Sequence, residues 1–314
     1  MTTNADSPLA LAIDLGGTKV EAALVDASGT LLPASRFRSP TGRASSSDEL
    51  AASVTSVVVS ALAALPAGAE LVGAGMGSAG PIEVQQGLVS PLNLPAWREY
   101  PLRDLVVSLV PDVPVVLRMD GQCIALAEHW VGAGQGCDNL MGMIVSTGIG
   151  GGLLLGGAVI PGPTGNAGHI GHVEVGGFED ICDCGGIGCV EGIASGPKTV
   201  AWANRQGWVG STGEELSAAY AAGDEIAIAA VARSGRAIGQ AIASATALVD
   251  LDLIAIGGGF SHVTPDIFGY INAAIQERVQ FGFVTKAVAV PSALSGDGPL
   301  IGSAALIHRS QLVR

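Results

Sequence analysis

Short runs of apolar residues, separated by polar or glycine-rich segments, recur along the chain and predict β-strands. Near the start, Leu9–Asp14 and Val20–Asp26 are two such runs joined by a glycine-containing connection, which is typical of a β-hairpin. A third strand is expected within Thr30–Pro40, and further strands are expected over Leu71–Met76 and Val113–Leu117. The chain is therefore predicted to begin with a hairpin that belongs to a larger sheet.

A different spacing of apolar residues predicts helices. Between residues 47 and 65 the larger apolar side chains recur every three or four positions, and Ser46 and Glu49 form a capping-box sequence at the start. The uncharged stretch Leu50–Ala69 is long enough to suggest a membrane span, but its serines and its proline favour an amphipathic helix of a soluble protein. Another helix is expected over Gly121–Val131.

The second half of the chain repeats the order of the first half. Leu140–Ile160 predicts a strand, a glycine-rich turn and a returning strand. Alanine-rich helices are expected over residues 213–222, 224–249 and 265–279, with a strand in Leu251–Gly259 and a final helix from Gly302 to the end. Because a hairpin precedes the helices in each half, the fold class is predicted to be α/β with mixed sheets.

Two domains are expected from this duplication, and 314 residues are enough for both. The boundary is placed near residue 118. The first domain is expected to cover residues 1–118 and to be joined by the C-terminal helix at residues 302–314. The second domain is expected to cover residues 119–301.

Composition and charge narrow the classes of function. The chain has 28 acidic and 15 basic residues, a net charge of −13, and only three lysines. Such a chain lacks the clustered Lys and Arg with which proteins bind nucleic acids or anionic lipids. We therefore expect neither a nucleic-acid partner nor a membrane partner.

The N-terminal segment has no positively charged region followed by a long apolar run, so no signal peptide is expected. A cytoplasmic location follows from that expectation. Cytoplasmic thiols stay reduced, and disulfides are therefore not expected. A cluster of cysteines in such a chain indicates a metal site.

Two glycine turns, Asp14–Lys19 (DLGGTK) and Ser146–Gly152 (STGIGGG), lie at matching places in the two halves. Glycines let backbone N–H groups approach an anion without interference from Cβ, and Thr18 and Thr147 add hydroxyl donors. Asp14 ends a strand, where a carboxylate can hold Mg²⁺ directly or through water. Neither turn matches a P-loop or a Rossmann fingerprint, and an ordinary hairpin turn is the alternative. The occurrence of two such turns favours phosphate binding.

One histidine and three cysteines follow the pattern H-x9-C-x-C-x4-C: His172, Cys182, Cys184 and Cys189. A Cys₃His set is typical of a closed tetrahedral zinc site, in which the protein supplies all four ligands. Zinc bound by residues 172–191 is therefore expected to be structural. The alternative is three unrelated buried thiols.

Together these motifs resemble the ROK family of bacterial sugar kinases and sugar-responsive repressors. The resemblance rests on Asp14–Lys19, on Thr147–Gly152 and on GH…CxCGxxGCxE, which runs from Gly171 to Glu191. It implies the two-domain actin-like (ribonuclease H-like) ATPase fold over nearly the whole chain. Because DLGGTK begins at residue 14, no added DNA-binding domain is expected, and the kinase branch of the family is implied.

The resemblance also implies roles for individual residues. In that family the glycine turns cradle the ATP phosphates and a later glycine-rich strand end packs against adenosine. The implied ATP contacts are Asp14, Gly16, Gly17, Thr18, Lys19, Thr147, Gly148, Gly257, Gly258 and Gly259. The implied sugar contacts are Ser78, Gly80, Asn93, His169, His172 and Glu191. Asp120 stands where the family has its general base, and a helix N-cap is the alternative role for it. Relatives often form homodimers, so a homodimer is expected.

Two residues depart from the usual family pattern. Met119 replaces an Asn before Asp120, and His169 replaces a Glu. The resulting AGHIGH sequence resembles the family's N-acetylmannosamine kinases more than its glucokinases. The expected activity is ATP-dependent phosphorylation of the primary hydroxyl of a hexose or N-acetylhexosamine, with glucose or N-acetylmannosamine as the sugar.

Two alternatives are left open beside the ATP-dependent kinase. One is a non-catalytic sugar-binding regulatory protein with the same fold, suggested by the changes at residues 119 and 169. The other is a kinase that uses polyphosphate as the phosphate donor. The scarcity of lysines disfavours the second, because a long polyanion needs a basic track.

Overall fold

The structure is a computed structural model that describes residues 7–278 and 280–313. Its strands are β1 (Leu9–Leu15), β2 (Lys19–Asp26), β3 (Phe37–Pro40), β4 (Leu71–Ser78), β5 (Ile82–Glu83), β6 (Leu88–Val89), β7 (Val115–Met119), β8 (Leu140–Val145), β9 (Ile149–Leu155), β10 (Ala158–Val159), β11 (Leu253–Gly257) and β12 (Val288–Pro291). Its helices are α1 (Ser47–Ala63), α2 (Leu102–Leu109), α3 (Asp120–Val131), α4 (Val190–Ala194), α5 (Gly196–Arg205), α6 (Gly213–Ala221), α7 (Glu225–Val249), α8 (Ile267–Arg278), α9 (Gly282–Thr285) and α10 (Gly298–His308).

Within the described ranges these strands form two five-stranded sheets and a small hairpin of β5 and β6. The first sheet has the order β3-β2-β1-β4-β7, and the second has the order β10-β9-β8-β11-β12. In each sheet an antiparallel hairpin strand and a parallel strand flank the central one: β2 and β4 flank β1, and β9 and β11 flank β8. The prediction of an α/β fold with mixed sheets and an internal duplication is therefore confirmed.

Two helices, α3 and α10, pack against each other and connect the sheets. Helix α10 lies on β1 and β4, whereas α3 lies on β8 and β9. Glycines allow this close approach: a Cβ on Gly75 would lie 1.7 Å from the carbonyl oxygen of Ser303, and one on Gly302 would lie 1.9 Å from that of Cys123. The last helix therefore packs on the first sheet. The domain division at residue 118 stays a prediction.

Helix α1 has the features that its sequence predicts. The Ser46 hydroxyl accepts the N–H of Glu49, and the Glu49 carboxylate accepts the N–H of Ser46. Its apolar face is buried at Leu50, Val54, Val57, Val58 and Ala61. None of the helices in the described ranges combines the length and hydropathy that a bilayer crossing requires.

Some predicted boundaries are wrong. The third strand covers only Phe37–Pro40, because Pro33 begins a 3-10 turn in the preceding segment. The final helix begins at Gly298 instead of Gly302, with Pro299 in its first turn. The sequence reading missed the small hairpin of β5 and β6, strand β12, and helices α2, α4, α5 and α9. Parts of the N-terminal segment and of two predicted helices, namely residues 1–6, 279 and 314, lie outside the described residues.

Candidate active site and metal centre

Asp120 lies where the two sheets approach each other. Strand β7 of the first sheet ends at Met119, and α3 begins at Asp120. The start of α3 packs against β9 of the second sheet, since a Cβ on Gly121 would lie 2.3 Å from the carbonyl carbon of Gly151. The Asp120 carboxylate accepts the N–H of Gly121 at 2.7 Å. Met119 is the N-cap and Asp120 is the first helical residue, so the side chain is not needed as the cap.

The carboxylates around Asp120 do not ionise as isolated ones do. Burial, assisted by the charge of Glu191 and opposed by the N–H of Gly121, raises the pKa of Asp120 to about 6. Burial and then the charge of Asp120 raise the pKa of Asp14 to about 7, against the opposing charge of Lys19. Asp120 therefore lies in the electrostatic field of two neighbouring carboxylates. A pKa near the working pH suits a group that takes up and releases protons.

The first glycine turn leaves donors available for an anion. The N–H of Gly16 donates to the carbonyl oxygen of Lys19, closing the turn. The backbone N–H of Thr41 donates to Thr18, and its hydroxyl donates to the Gly16 carbonyl oxygen. Across the described part of the chain, the N–H groups of Gly17 and Thr18 make no hydrogen bond. Thr41, which the sequence reading missed, supports this turn, and Asn93 lies beside Gly17.

The Lys19 side chain binds a carboxylate of the same chain in this structure. Its ammonium group donates to the buried Glu21 carboxylate at 2.7 Å, and Arg36 and Arg38 bind the same carboxylate. Burial favours a raised pKa for Glu21, but hydrogen bonds from the three cations lower it. Arg36 also pairs with Asp297 at 2.6 Å, just before α10. The role of Lys19 in binding ATP stays a prediction.

The second glycine turn already holds a carboxylate. The N–H of Ile149 donates to Oε2 of Glu191 at 2.8 Å. Thr147 is exposed at the tip of the turn. The predicted adenosine segment lies alongside, because a Cβ on Gly258 would lie 2.6 Å from the carbonyl oxygen of Val145, and one on Gly259 would lie 3.7 Å from the Ser146 hydroxyl. The structure thus places Gly258 and Gly259 beside Val145 and Ser146, the residues that lead into the second glycine turn.

The structure brings two of the predicted sugar contacts, Gly80 and His169, together beside Met119. A Cβ on Gly80 would lie 3.2 Å from Cε1 of His169 and from Sδ of Met119, so these three residues are neighbours. The His169 imidazole makes no hydrogen bond within the described residues. Burial, with the nearby His172, lowers its pKa and favours the neutral ring. Ser78 is fully buried, and its hydroxyl donates to the carbonyl oxygen of Ala79.

Two amide side chains that the sequence reading missed hold the segment before His169. Asn166 binds both the N–H and the carbonyl oxygen of Ile82, at 2.9 and 2.7 Å. Gln122, on α3, donates to the carbonyl oxygen of Gly165 at 2.9 Å. These contacts tie the loop of the second half to both the first half and the helix of Asp120. The only sign of Asn166 in the sequence is its place between two glycines (TGNAGH), and a single residue leaves no periodic pattern.

The predicted metal ligands converge. The donor atoms of His172, Cys182, Cys184 and Cys189 all lie within 4.8 Å of one another. The Cys182 sulfur lies 3.7 Å from Nδ1 of His172, and the Cys184 and Cys189 sulfurs are also 3.7 Å apart. Ligands of a tetrahedral zinc ion are separated by about 3.5–3.8 Å, given its usual bond lengths. The four side chains therefore fit zinc, and the two sulfurs are too far apart for a disulfide.

A small hairpin carries Cys182 and Cys184, and Cys189 follows its second arm. Ile181 pairs with Ile187, and the Cys182 N–H donates to the carbonyl oxygen of Gly186 at 2.9 Å. Gly185 and Gly188 have φ of +93° and +79°, which glycine adopts without strain. Local glycine turns therefore bring the three thiols to one side.

Comparison with known proteins agrees with this arrangement. The sequence model described as "ROK family" matches residues 10–310. The chain is 35% identical over 254 residues to an N-acetylmannosamine kinase of Yersinia pseudotuberculosis serotype O:1b (strain IP 31758), a match that covers 79% of this chain and 82% of that relative.

Two solved structures are also similar. One is a ROK family glucokinase from Streptomyces griseus in complex with glucose and AMPPNP, with 28% identity, a TM-score of 0.82, and coverage of 96% of this chain and 99% of that one. The other is a ROK hexokinase from Thermus thermophilus, with 29% identity, a TM-score of 0.79 and the same coverages. Both match nearly the full length of the chain.

Proposed function

The chain belongs to the ROK family, and we infer that it is an ATP-dependent sugar kinase that phosphorylates the primary hydroxyl of a hexose or N-acetylhexosamine. The observation that carries this proposal is the position of Asp120. Its carboxylate interacts with the charges of Asp14, in the first glycine turn, and of Glu191, which binds the second. It also lies close to the second turn, since a Cβ on Gly150 would lie 3.8 Å from its Oδ1. Such a group is placed to take a proton from an acceptor hydroxyl that lies near both turns.

We propose that Asp120 is the general base. Phosphoryl transfer needs a nucleophile with alkoxide character, and proton removal by a positioned carboxylate contributes about 10²–10⁴ in rate. The unbonded N–H groups of Gly17 and Thr18 would hold phosphate oxygens. Alignment of the two substrates, by the two glycine turns and by the predicted sugar-binding residues, supplies much of the remaining acceleration.

Two metal ions fit the residues present. A bound magnesium ion neutralises charge on the phosphates. Asp14 would hold it, because this buried carboxylate makes no side-chain hydrogen bond in the described part of the chain and has a second carboxylate as its neighbour. Zinc would be held by His172, Cys182, Cys184 and Cys189, where it stabilises the loop.

N-acetylmannosamine is the sugar that we favour over glucose. The support is the similarity to an N-acetylmannosamine kinase and the neutral imidazole of His169, which can donate to a carbonyl oxygen or accept from a hydroxyl. The homodimer and the cytoplasmic location stay predictions.

A sugar panel tests this proposal. We expect ADP release from ATP and Mg²⁺ to depend on added sugar, with a higher kcat/KM for N-acetylmannosamine than for glucose or mannose. Polyphosphate in place of ATP is expected to give no product. Measurable sugar binding without turnover of any sugar would instead support the non-catalytic regulatory protein.

The pH dependence of the reaction follows from the pKa of Asp120. Because the base must be ionised, kcat/KM is expected to fall as the pH drops through about 6, where burial and Glu191 place this pKa. An unperturbed aspartate would hold activity down to about pH 4. Direct measurement of ADP in quenched samples between pH 5 and 8 checks this. A flat profile down to pH 5 would contradict the assignment.

A further inference from the structure

Glu191 touches the second glycine turn at the place where the sequence predicts a phosphate. Its Oε2 accepts the N–H of Ile149 at 2.8 Å, and a Cβ on Gly148 would lie only 2.7 Å from that oxygen. In this structure the missing Cβ of Gly148 therefore makes room for a carboxylate of the same chain. The contact joins residues 42 positions apart in the sequence.

The metal-binding segment holds Glu191 in place. Cys189 is buried two residues earlier, and its backbone pairs with Glu174. The backbone on the other side is equally close, since a Cβ on Gly171 would lie 2.0 Å from the carbonyl oxygen of Ile149. The loop that carries the metal ligands thus contacts both the N–H and the carbonyl side of Ile149.

The second oxygen of Glu191 has no such partner. Among the described residues no hydrogen bond reaches Oε1, while Oε2 is fixed on the turn. The carboxylates of Glu191 and Asp120 lie beside the same turn, since a Cβ on Gly148 would lie 2.7 Å from Oε2 of Glu191 and one on Gly150 would lie 3.8 Å from Oδ1 of Asp120. The Glu191 side chain therefore contacts the second glycine turn through Oε2 and leaves Oε1 available to a sugar hydroxyl.

We propose that Glu191 is a positioning residue that couples sugar binding to nucleotide binding; this inference rests on the proposed kinase function. Oε2 keeps the turn of Thr147–Ile149 in its binding conformation, and Oε1 accepts a hydroxyl of the sugar. A bound sugar restrains Oε1 as well and, through Oε2 and the Ile149 N–H, further restrains the turn that receives the phosphates. By linkage, sugar and nucleotide each raise the affinity of the other by the same factor, typically between about 5-fold and 150-fold.

Two substitutions of Glu191, each by an uncharged residue, test this role. Glu191→Gln and Glu191→Ala both remove the negative charge, but only the glutamine retains an oxygen that can accept the Ile149 N–H. Without sugar, we expect the glutamine variant to bind AMPPNP with Mg²⁺ about threefold to tenfold more tightly than the alanine variant. This difference corresponds to the net free energy of one hydrogen bond, the one from the Ile149 N–H. Isothermal titration calorimetry measures both. Glu179→Ala, an exposed carboxylate of the same loop, is the control and should match the wild type.

A second measurement, hydrogen exchange, reports on the second glycine turn directly. Hydrogen exchange of a peptide that contains Thr147–Gly150 is expected to be faster in Glu191→Ala and close to wild type in Glu191→Gln. The sugar-induced gain in AMPPNP affinity should disappear in the alanine variant. Equal sugar-free AMPPNP affinities of the two variants, with equal exchange, would overturn the coupling role. Absence of turnover in the wild-type sugar panel would overturn the kinase proposal alone, because neither measurement here requires turnover.

Discussion

Replacing Asp120 by Asn is expected to lower kcat by about 10²- to 10⁴-fold while the protein still binds sugar and AMPPNP. The amide cannot take the proton of the acceptor hydroxyl. It has nearly the same shape as the carboxylate, and its oxygen can still accept the N–H of Gly121. The loss should therefore appear in kcat far more than in either KM. Steady-state kinetics and calorimetry of the same preparation separate the two effects.

The stability of the same variant gives an independent check. The folded state raises the pKa of Asp120, so the stability of the folded protein is greatest when the group is protonated and falls as the pH rises above the unfolded value of about 4. At pH 7 the ionised group therefore costs stability, and Asp120→Asn should have an equal or higher Tm. Asp112→Asn, an exposed residue before β7, is the matched control with unchanged kcat and Tm. A near-wild-type kcat in Asp120→Asn would refute the general-base assignment.

Removal of the metal is expected to have the largest effect on stability. The donor atoms of three thiols and an imidazole lie within 4.8 Å of one another, so a bound ion would add four ligand bonds to the backbone hydrogen bonds of this loop. Structural zinc sites in small peptides contribute about 10–16 kcal/mol of apparent binding energy, which is folding energy. We expect Cys184→Ser or exhaustive chelation to lower Tm by more than about 5 °C and activity by more than about tenfold.

The measurement begins with metal analysis, which should find one zinc per chain. Because Cys189 precedes Glu191 by two residues, metal loss should weaken AMPPNP binding as well as sugar binding. Cys137→Ser is the matched control, since Cys137 is half-buried, lies outside the cluster and donates weakly to the carbonyl oxygen of Asn139. A metal-free protein with wild-type Tm and activity would show that the four residues hold no structural ion.

The sequence was most informative where a feature depends on neighbours along the chain. Helix α1 begins at its predicted capping box because Ser46 and Glu49 are three residues apart. The hairpin of β1 and β2 forms around a glycine turn of a few residues. The metal ligands converge because their spacing and intervening glycines allow one small hairpin to present the thiols. Periodicity and spacing encode such structures directly.

Other contacts depend on segments that are distant in sequence. The prediction read the glycines of the second turn as space for a phosphate, yet Gly148 faces the carboxylate of Glu191. Asn166 holds Ile82 across 84 residues, and Gln122 reaches the same loop from α3. No local pattern signals these pairs, because a single polar residue has no period and its partner is a backbone group that every residue carries.

The sequence by itself determined the two hairpins, the capping box of α1, the mixed α/β class, the metal-ligand set and the family, since each depends on the order and spacing of neighbouring residues. The tertiary structure alone decided that Asp120 is buried near the charges of Asp14 and Glu191 and that its pKa is raised to about 6. It also decided that the Glu191 carboxylate accepts the N–H of Ile149 in the second glycine turn, 42 positions earlier in the sequence. Burial and distance between remote segments set these properties, and both exist only once helices α3 and α10 have packed the two sheets together.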